Sequence, residues 1–254
     1  MVSRFEQNLA RYRASRARSL GCDVSAFDSN ALTIVTRPET ALEPFVLLAL
    51  TFGTGTVISV EPEYVDFVRD HAPDPHHRAF AAPWLMQPLV EHATSKGQDL
   101  AWRGPNLAFL PSTEPPQIET PKGFRWEKVD AAWREPRVAG SAFSNALGDP
   151  GEVYAEEAWR YALALVDAEG EPAAVAGGYY DDEEFLEIGV DVARAYRGQG
   201  LGRLVVSAMA NDIIAGGRTP TYYCSPTNIR SQRTALSCGF LPAASAVKVG
   251  VRRP

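Results

Sequence analysis

Three glycines on alternate positions, Gly198, Gly200 and Gly202, punctuate the stretch YRGQGLG, residues 196–202. Before them runs FLEIGVDV, residues 185–192. Leu186, Ile188, Val190 and Val192 fall on one face of a strand there, and Phe185, Glu187, Gly189 and Asp191 on the other. After them Leu201, Leu204, Val205, Ala208, Met209 and Ile213 recur at helical spacing and make one apolar stripe. The glycines therefore sit where a strand hands over to an amphipathic helix. A helix N-terminus offers unpaired N–H groups and the positive end of a dipole. Glycine removes the Cβ that would hold a ligand away. Together they predict a site for phosphate or pyrophosphate, to which Arg197 adds charge and a forked donor set. The motif is not a Walker loop, because Gly202 is followed by Arg203 and Leu204. Nor is it the dinucleotide G-x-G-x-x-G, because the third glycine falls one residue early. Taken alone, it also reads as a tight turn in which glycine allows close packing.

The rest of the chain supplies a frame for that turn. Residues 3–19 have helical periodicity, with Phe5, Leu9 and Tyr12 on one face and most of the arginines on others. Between 31 and 110 the pattern is mixed α and β. ALTIVTR and TVISVEP read as strands, PFVLLALTFG as a buried strand or short helix, EYVDFVRDHA and PWLMQPLVEHA as helices, and NLAFLP as a strand. PSTEPPQIETPKG, residues 111–123, holds four prolines and almost no apolar bulk, which is a linker composition. This gives an N-terminal mixed α/β lobe over 1–112, a linker over 113–122 and a second domain over 123–254. In that domain FRWEKV is a strand and AAWREPRVAGSAF a helical stretch. EAWRYALALVDAEGEPAAVAGGYYDDEEFLEIGVDV reads as three strands with two turns. Beyond the glycine turn come a long helix, a strand at TPTYYCS, a helix at NIRSQRTALSCG and a last strand near AVKVGVR. The five tryptophans, Trp84, Trp102, Trp126, Trp133 and Trp159, read as core or inter-lobe packing.

Arg197-x-x-Gly200-x-Gly202 after a strand and at the head of a helix resembles motif A of the GNAT superfamily of acyl-CoA-dependent N-acyltransferases. Asn228-Ile229-Arg230-Ser231, followed by Gly239-Phe240, resembles that family's N-x-x-A/S … G-F segment. The resemblance covers about residues 123–254. It implies an α/β (α+β) fold, a mixed and mostly antiparallel sheet flanked by helices and splayed between its fourth and fifth strands. It implies acetyl-CoA as co-substrate, no metal, and direct attack by an amine in a ternary complex. Backbone groups of Val190 and Val192 would pair with pantetheine, and Arg197, Gly198, Gln199, Gly200, Leu201 and Gly202 would wrap the pyrophosphate. Asn228 would bond the pantetheine arm, with Ser231 beside it. The N-terminal lobe is similar, by analogy, to the first lobe of two-lobed members, a degenerate or variant relative, and its expected job is to cover the cleft and shape the acceptor site.

Acyl transfer to an amine needs a base for the ammonium and a donor for the oxyanion, and the thiolate can use an acid. The Val192 amide is the expected donor. Glu187 is the expected base, because a carboxylate on an otherwise apolar strand is partly desolvated and its pKa rises. Asp191, on the same face, is the second candidate, and a Glu187 that faces solvent or bonds a neighbouring strand is the alternative. Many family members carry a tyrosine seven residues after the asparagine, where this chain has Ala235. That departure keeps a rival open: a non-catalytic acyl-CoA-binding sensor or partner module. Tyr222, Tyr223 and Cys224 lie on the strand before Asn228, and Cys224 reads as a buried, inert thiol.

Composition narrows the classes further. A net charge of -6 argues against nucleic-acid binding and suits a cationic substrate. Three widely spaced cysteines make no disulfide framework or zinc pattern, so a reducing, cytoplasmic setting is expected. The N-terminus is charged from its fourth residue and reads as no signal peptide, and no run is long enough for a membrane span. His76 and His77 stand in a proline-rich loop with no third ligand in view. The expected partners are acetyl-CoA and an amine, with the protein a monomer or homodimer.

Overall fold

In a computed structural model of the chain the residues described are 2–39, 45–72, 79–80, 84–130, 132–134, 143–148 and 161–251. His76, His77, Trp159 and most of the helical stretch expected over 131–143 lie outside them. In chain order the elements begin with helix α1 (Arg4–Leu20) and strands β1 (Leu32–Thr36), β2 (Leu47–Thr51) and β3 (Thr56–Val60). Helices α2 (Val65–Asp70) and α3 (Met86–Ser95) follow, then β4 (Leu100–Pro111), β5 (Arg125–Lys128) and the one-turn helix α4 (Ser144–Leu147). Strands β6 (Tyr161–Val166), β7 (Pro172–Tyr180) and β8 (Phe185–Val192) lead into helix α5 (Leu201–Ala215). Strand β9 (Thr219–Cys224), helix α6 (Ile229–Ser237) and strand β10 (Phe240–Val251) complete the chain.

These elements gather into two compact units. One holds Leu9–Ala108, Cys224–Thr227 and Pro242–Pro254. In it β2 pairs antiparallel with β3 on one edge and with β10 on the other, and β1 pairs parallel with β3. That settles PFVLLALTFG as a strand: a short apolar run flanked on both sides can bury both faces. Leu47, Ile58, Val60, Tyr64, Leu89 and Val249 are buried in its core.

The other unit holds Met1–Asn8, Phe109–Tyr223 and Asn228–Leu241. Here β5, β6, β7 and β8 form an antiparallel series, and β9 joins β8 in parallel. The sheet is thus mixed and mostly antiparallel. Helix α5 buries Leu201, Leu204, Val205, Met209 and Ile213 of the stripe its periodicity predicts, leaves Ala208 half-buried, and buries Val206 and Ala210 beside it. Gly202 brings the helix to within 3.5 Å of the Val192 methyl, measured from where a Cβ would stand. So α5 covers the even-numbered face of β8. The opposite face takes α4, whose backbone reaches where side chains at Gly177 and Gly189 would go. Three tryptophans are not core: Trp84, Trp102 and Trp126 are all exposed. An indole carries a polar edge that water satisfies, and Trp126 gives its N–H to Thr120 Oγ1 at 2.9 Å. Trp133 does pack, against the cluster of Val129, Phe143, Leu147 and Val175.

Candidate active site

Strand β8 has one edge on β7 along its whole length and the other on β9 for three residues only. The β8–β9 register runs Phe185↔Thr219, Leu186↔Pro220 and Glu187↔Thr221, and stops. Hydrogen bonds at its two ends show which backbone groups face which neighbour. Asp181 N donates to Phe185 O, and Ala193 N donates to Ala173 O, so odd-numbered residues bond towards β7. Thr219 N donates to Glu184 O, so even-numbered residues face β9. Val190 and Val192 therefore point their amides to the edge that β9 has left. The Val192 carbonyl is held by Arg197 Nε at 3.1 Å. Its amide is aimed into the gap.

The glycine turn lies just beyond that edge. Arg194–Tyr196 form one 3-10 turn, and Arg197, Gly198, Gln199 and Gly200 are exposed. Gly198 and Gly200 have φ of 83° and 81°, in the left-handed region that glycine enters without strain. A Cβ on either would meet nothing within 4 Å, so the turn is not built for internal packing. Gly200 is the N-cap of α5, and the first helical bond runs from Leu204 N to Gly200 O. The amides of Leu201, Gly202 and Arg203, ahead of it, have no helical acceptor. The turn is also anchored. The Tyr196 hydroxyl donates to the Asp167 carboxylate, whose Oδ1 also accepts from the amides of Glu169 and Glu171. These donors, Tyr196 first, hold the Asp167 carboxyl below its ordinary range, and the bond to the Asp167 carboxylate pushes the Tyr196 phenol up. Asp167 is in the turn between β6 and β7, and its link to Tyr196 is a contact between segments far apart in the chain.

Glu187 is half-buried on the odd-numbered face, opposite Tyr179 on β7 and Thr221 on β9. It is on the last rung before the gap opens. Asp191, further along that face, is committed elsewhere. Its carboxylate accepts from Asn145 Nδ2 at 2.7 Å and from Ala146 N at 3.0 Å, in the first turn of α4. Burial raises its pKa, against those bonds and the Arg197 charge. A carboxylate that caps a helix is poorly placed to work as a base.

Asn228 is the N-cap of α6, its Oδ1 accepting from Ser231 N at 3.2 Å, which leaves the amide nitrogen directed elsewhere. Ser231 Oγ is 2.7 Å from the hydroxyl of Tyr222, a buried phenol that comes from β9. Ala235, one turn on, is wholly buried and has no proton to give. Cys224 and Cys238 are buried thiols outside any disulfide, and desolvation pushes the Cys238 pKa up. Glu187 is at the end of the β8–β9 pairing and Arg197–Gly202 lead into α5, while Asn228 and Ser231 are at the start of α6, where Ser231 meets Tyr222 of β9. A separate groove lined by Arg4, Glu114, Leu163, Asn211 and Asp212 is at the other end of α5, about 15 Å along the helix at 1.5 Å per residue. It is not part of this site. Among the described residues there is no group of three or more potential metal ligands, and no helix is long and apolar enough to cross a membrane.

Comparison with known proteins gives the site a family. The model of the acetyltransferase (GNAT) family matches residues 126–240, which include β8, the glycine turn, α5 and α6. No curated protein matches in sequence. Among solved structures, a GCN5-related N-acetyltransferase from Kribbella flavida is similar with a TM-score of 0.52 and 21% identity, over 97% of this chain and 96% of that one. A Drosophila protein is similar with a TM-score of 0.51 and 15% identity, over 97% and 90% of the two chains. At these identities the likeness is one of fold, and it extends over both units. Matched by the family model and built on a strand edge that opens towards a glycine-capped helix, residues 126–240 are a domain of the GNAT acetyltransferase family.

Proposed function

We propose that the protein is an N-acetyltransferase that moves the acetyl group of acetyl-CoA to a primary amine of a small molecule, in one step within a ternary complex. The observation that carries this reading is the loss of β9 from the edge of β8 beyond Glu187, directly ahead of the open amides of α5. The vacated edge has the spacing of a strand's donors and acceptors, which suits an extended, amide-bearing pantetheine arm. Val190 and Val192 pair with that arm, and the Asn228 amide nitrogen and Ser231 flank it. Arg197 and the amides from Gly198 to Gly202 hold the pyrophosphate, with Gln199 and Leu201 between the glycines.

Glu187 then takes the proton of the attacking ammonium, and the Val192 N–H bonds the oxygen on which negative charge develops. A thiol titrates at about 8.5, so the coenzyme can leave as a thiolate, and an alanine at position 235 does not bar the reaction. The net charge of -6 favours a cationic amine as acceptor, and thiols outside any disulfide suit the cytoplasm. The buried Ala235 favours a second reading, an acyl-CoA sensor without turnover. Calorimetric titration with acetyl-CoA and CoA, followed by thiol release against a panel of amines, separates the two. Binding with release is expected. Binding without release across the panel supports the sensor, and absence of binding removes both.

A further inference from the structure

The glycine turn has little packing of its own to keep it in shape. A Cβ at Gly198 or Gly200 would meet nothing within 4 Å, and the residues from Arg197 to Gly200 are exposed. Glycine also loses more backbone freedom on ordering than any other residue. Amides that are to hold an anion must nevertheless point at it beforehand, because ordering them at the moment of binding weakens affinity. The downstream end is fixed, since Gly200 O accepts the first bond of α5. Upstream, the 3-10 turn closes with Arg197 N on Arg194 O at 3.4 Å, which is long for a backbone bond. Tyr196, the residue before Arg197, reaches out of that turn. Its hydroxyl donates to the Asp167 carboxylate, and the Phe124 ring stands edge-on to it with centroids 5.8 Å apart. Asp167 is a rigid anchor. Its Oδ1 accepts from Glu169 N at 3.0 Å and Glu171 N at 2.8 Å, its amide donates to Glu171 O at 3.0 Å, and its carbonyl accepts from Arg125 Nη1 at 2.8 Å. None of these four bonds involves Tyr196, so the turn between β6 and β7 closes without it. What the Tyr196–Asp167 bond fixes is the glycine turn. It is charge-assisted, about twice as strong as a bond between neutral groups, and Asp167 is only 9% exposed.

We infer that Asp167 and Tyr196 are positioning residues for the coenzyme: their bond holds the glycine turn, before any ligand arrives, in the shape whose amides receive the pyrophosphate. This rests on the reading of that turn as the pyrophosphate site. The pair acts through the backbone from Arg197 to Gly202, so its removal weakens the hold on the pyrophosphate and on no other part of the coenzyme.

The test measures, on the full chain, the Kd of CoA by calorimetry and the Kd of pantetheine, which has no pyrophosphate, by NMR titration. Tyr196→Phe should raise the Kd of CoA about tenfold, the order that a hydrogen bond to a charged group contributes, and leave that of pantetheine unchanged. In the ligand-free variant the amides of Gly198–Gly202 should exchange faster with solvent, while α5 beyond its first turn stays protected. Asp167→Asn keeps an oxygen for the Glu169 and Glu171 amides but loses the charge, and should weaken CoA in the same direction. Once Tyr196 is phenylalanine, Asp167→Asn should weaken it no further. A Tyr196→Phe that binds CoA as tightly as the natural chain overturns the inference and leaves the role of the turn itself standing. A loss shared equally by CoA and pantetheine overturns it too, because that marks general damage, and so do two losses that simply add. If the natural chain holds CoA no more tightly than pantetheine, the turn is not the pyrophosphate site and both readings fall.

Discussion

At the scale of single residues, the site separates side chains that hold the fold from side chains that face the gap. Glu187 and Asp191 are four residues apart on one face of one strand. Asp191 is consumed by α4, whereas Glu187 stands where β9 departs. Glu187→Gln should lower kcat about a hundredfold, the lower end of what a general base contributes, and leave the Kd of acetyl-CoA nearly unchanged by calorimetry. A full rate would remove it as the base. Gly200 makes the complementary case, because its open surroundings mean that a side chain there disturbs no packing. Gly200→Glu should abolish CoA binding by placing bulk and negative charge over the amides of α5, while stability falls only by the strain of a left-handed residue, about 1–2 kcal/mol. Retained affinity would count against the turn as the pyrophosphate site. Both residues are legible in the sequence, Glu187 as a lone acid on an apolar strand and Gly200 by its spacing. Thr221 is not: in TPTYYC it is one more β-branched residue, and its place opposite Glu187 is set by the pairing of β9 with β8.

At the scale of elements, the sheet is shaped by what presses on it. Helix α5 lies on one face of β8, and one-turn α4 on the other, close enough that a Cβ at Gly189 would sit 1.8 Å from Asn145 O. Gly189→Ala should therefore destabilise the protein by about 3 kcal/mol, the upper range for overpacking, because the obstacle is backbone rather than a flexible side chain. Gly250→Ala, with nothing near its Cβ, is the control and should be almost silent in thermal melting. Equal Tm values would mean that α4 is not held against the strand. The periodicity predicts α5, whose apolar pattern is long and regular, and turn signals divide the three-strand run β6–β8. It does not predict α4, which has four residues and takes its stability from the Asp191 carboxylate at its first turn.

At the scale of the whole molecule, the two compact units are not consecutive stretches of chain. Pro242–Pro254 belongs with Leu9–Ala108: β10 pairs with β2, and Val247 and Val249 are in that unit's core. Deleting residues 242–254 should open an edge of β2, and hydrogen exchange should show Leu47–Thr51 losing protection along with a fall in Tm. Unchanged protection would mean that this unit closes without its last strand. The family of the acyl-transfer domain, the strand-to-helix handover and the exposed glycines could be read from the chain, because each depends on neighbours within a few turns and leaves a period or a spacing. Where β9 leaves β8 and which acid is spent as a cap were decided only on folding. Those are contacts between segments tens of residues apart, whose partners are chosen by packing, and packing leaves no mark on local spacing.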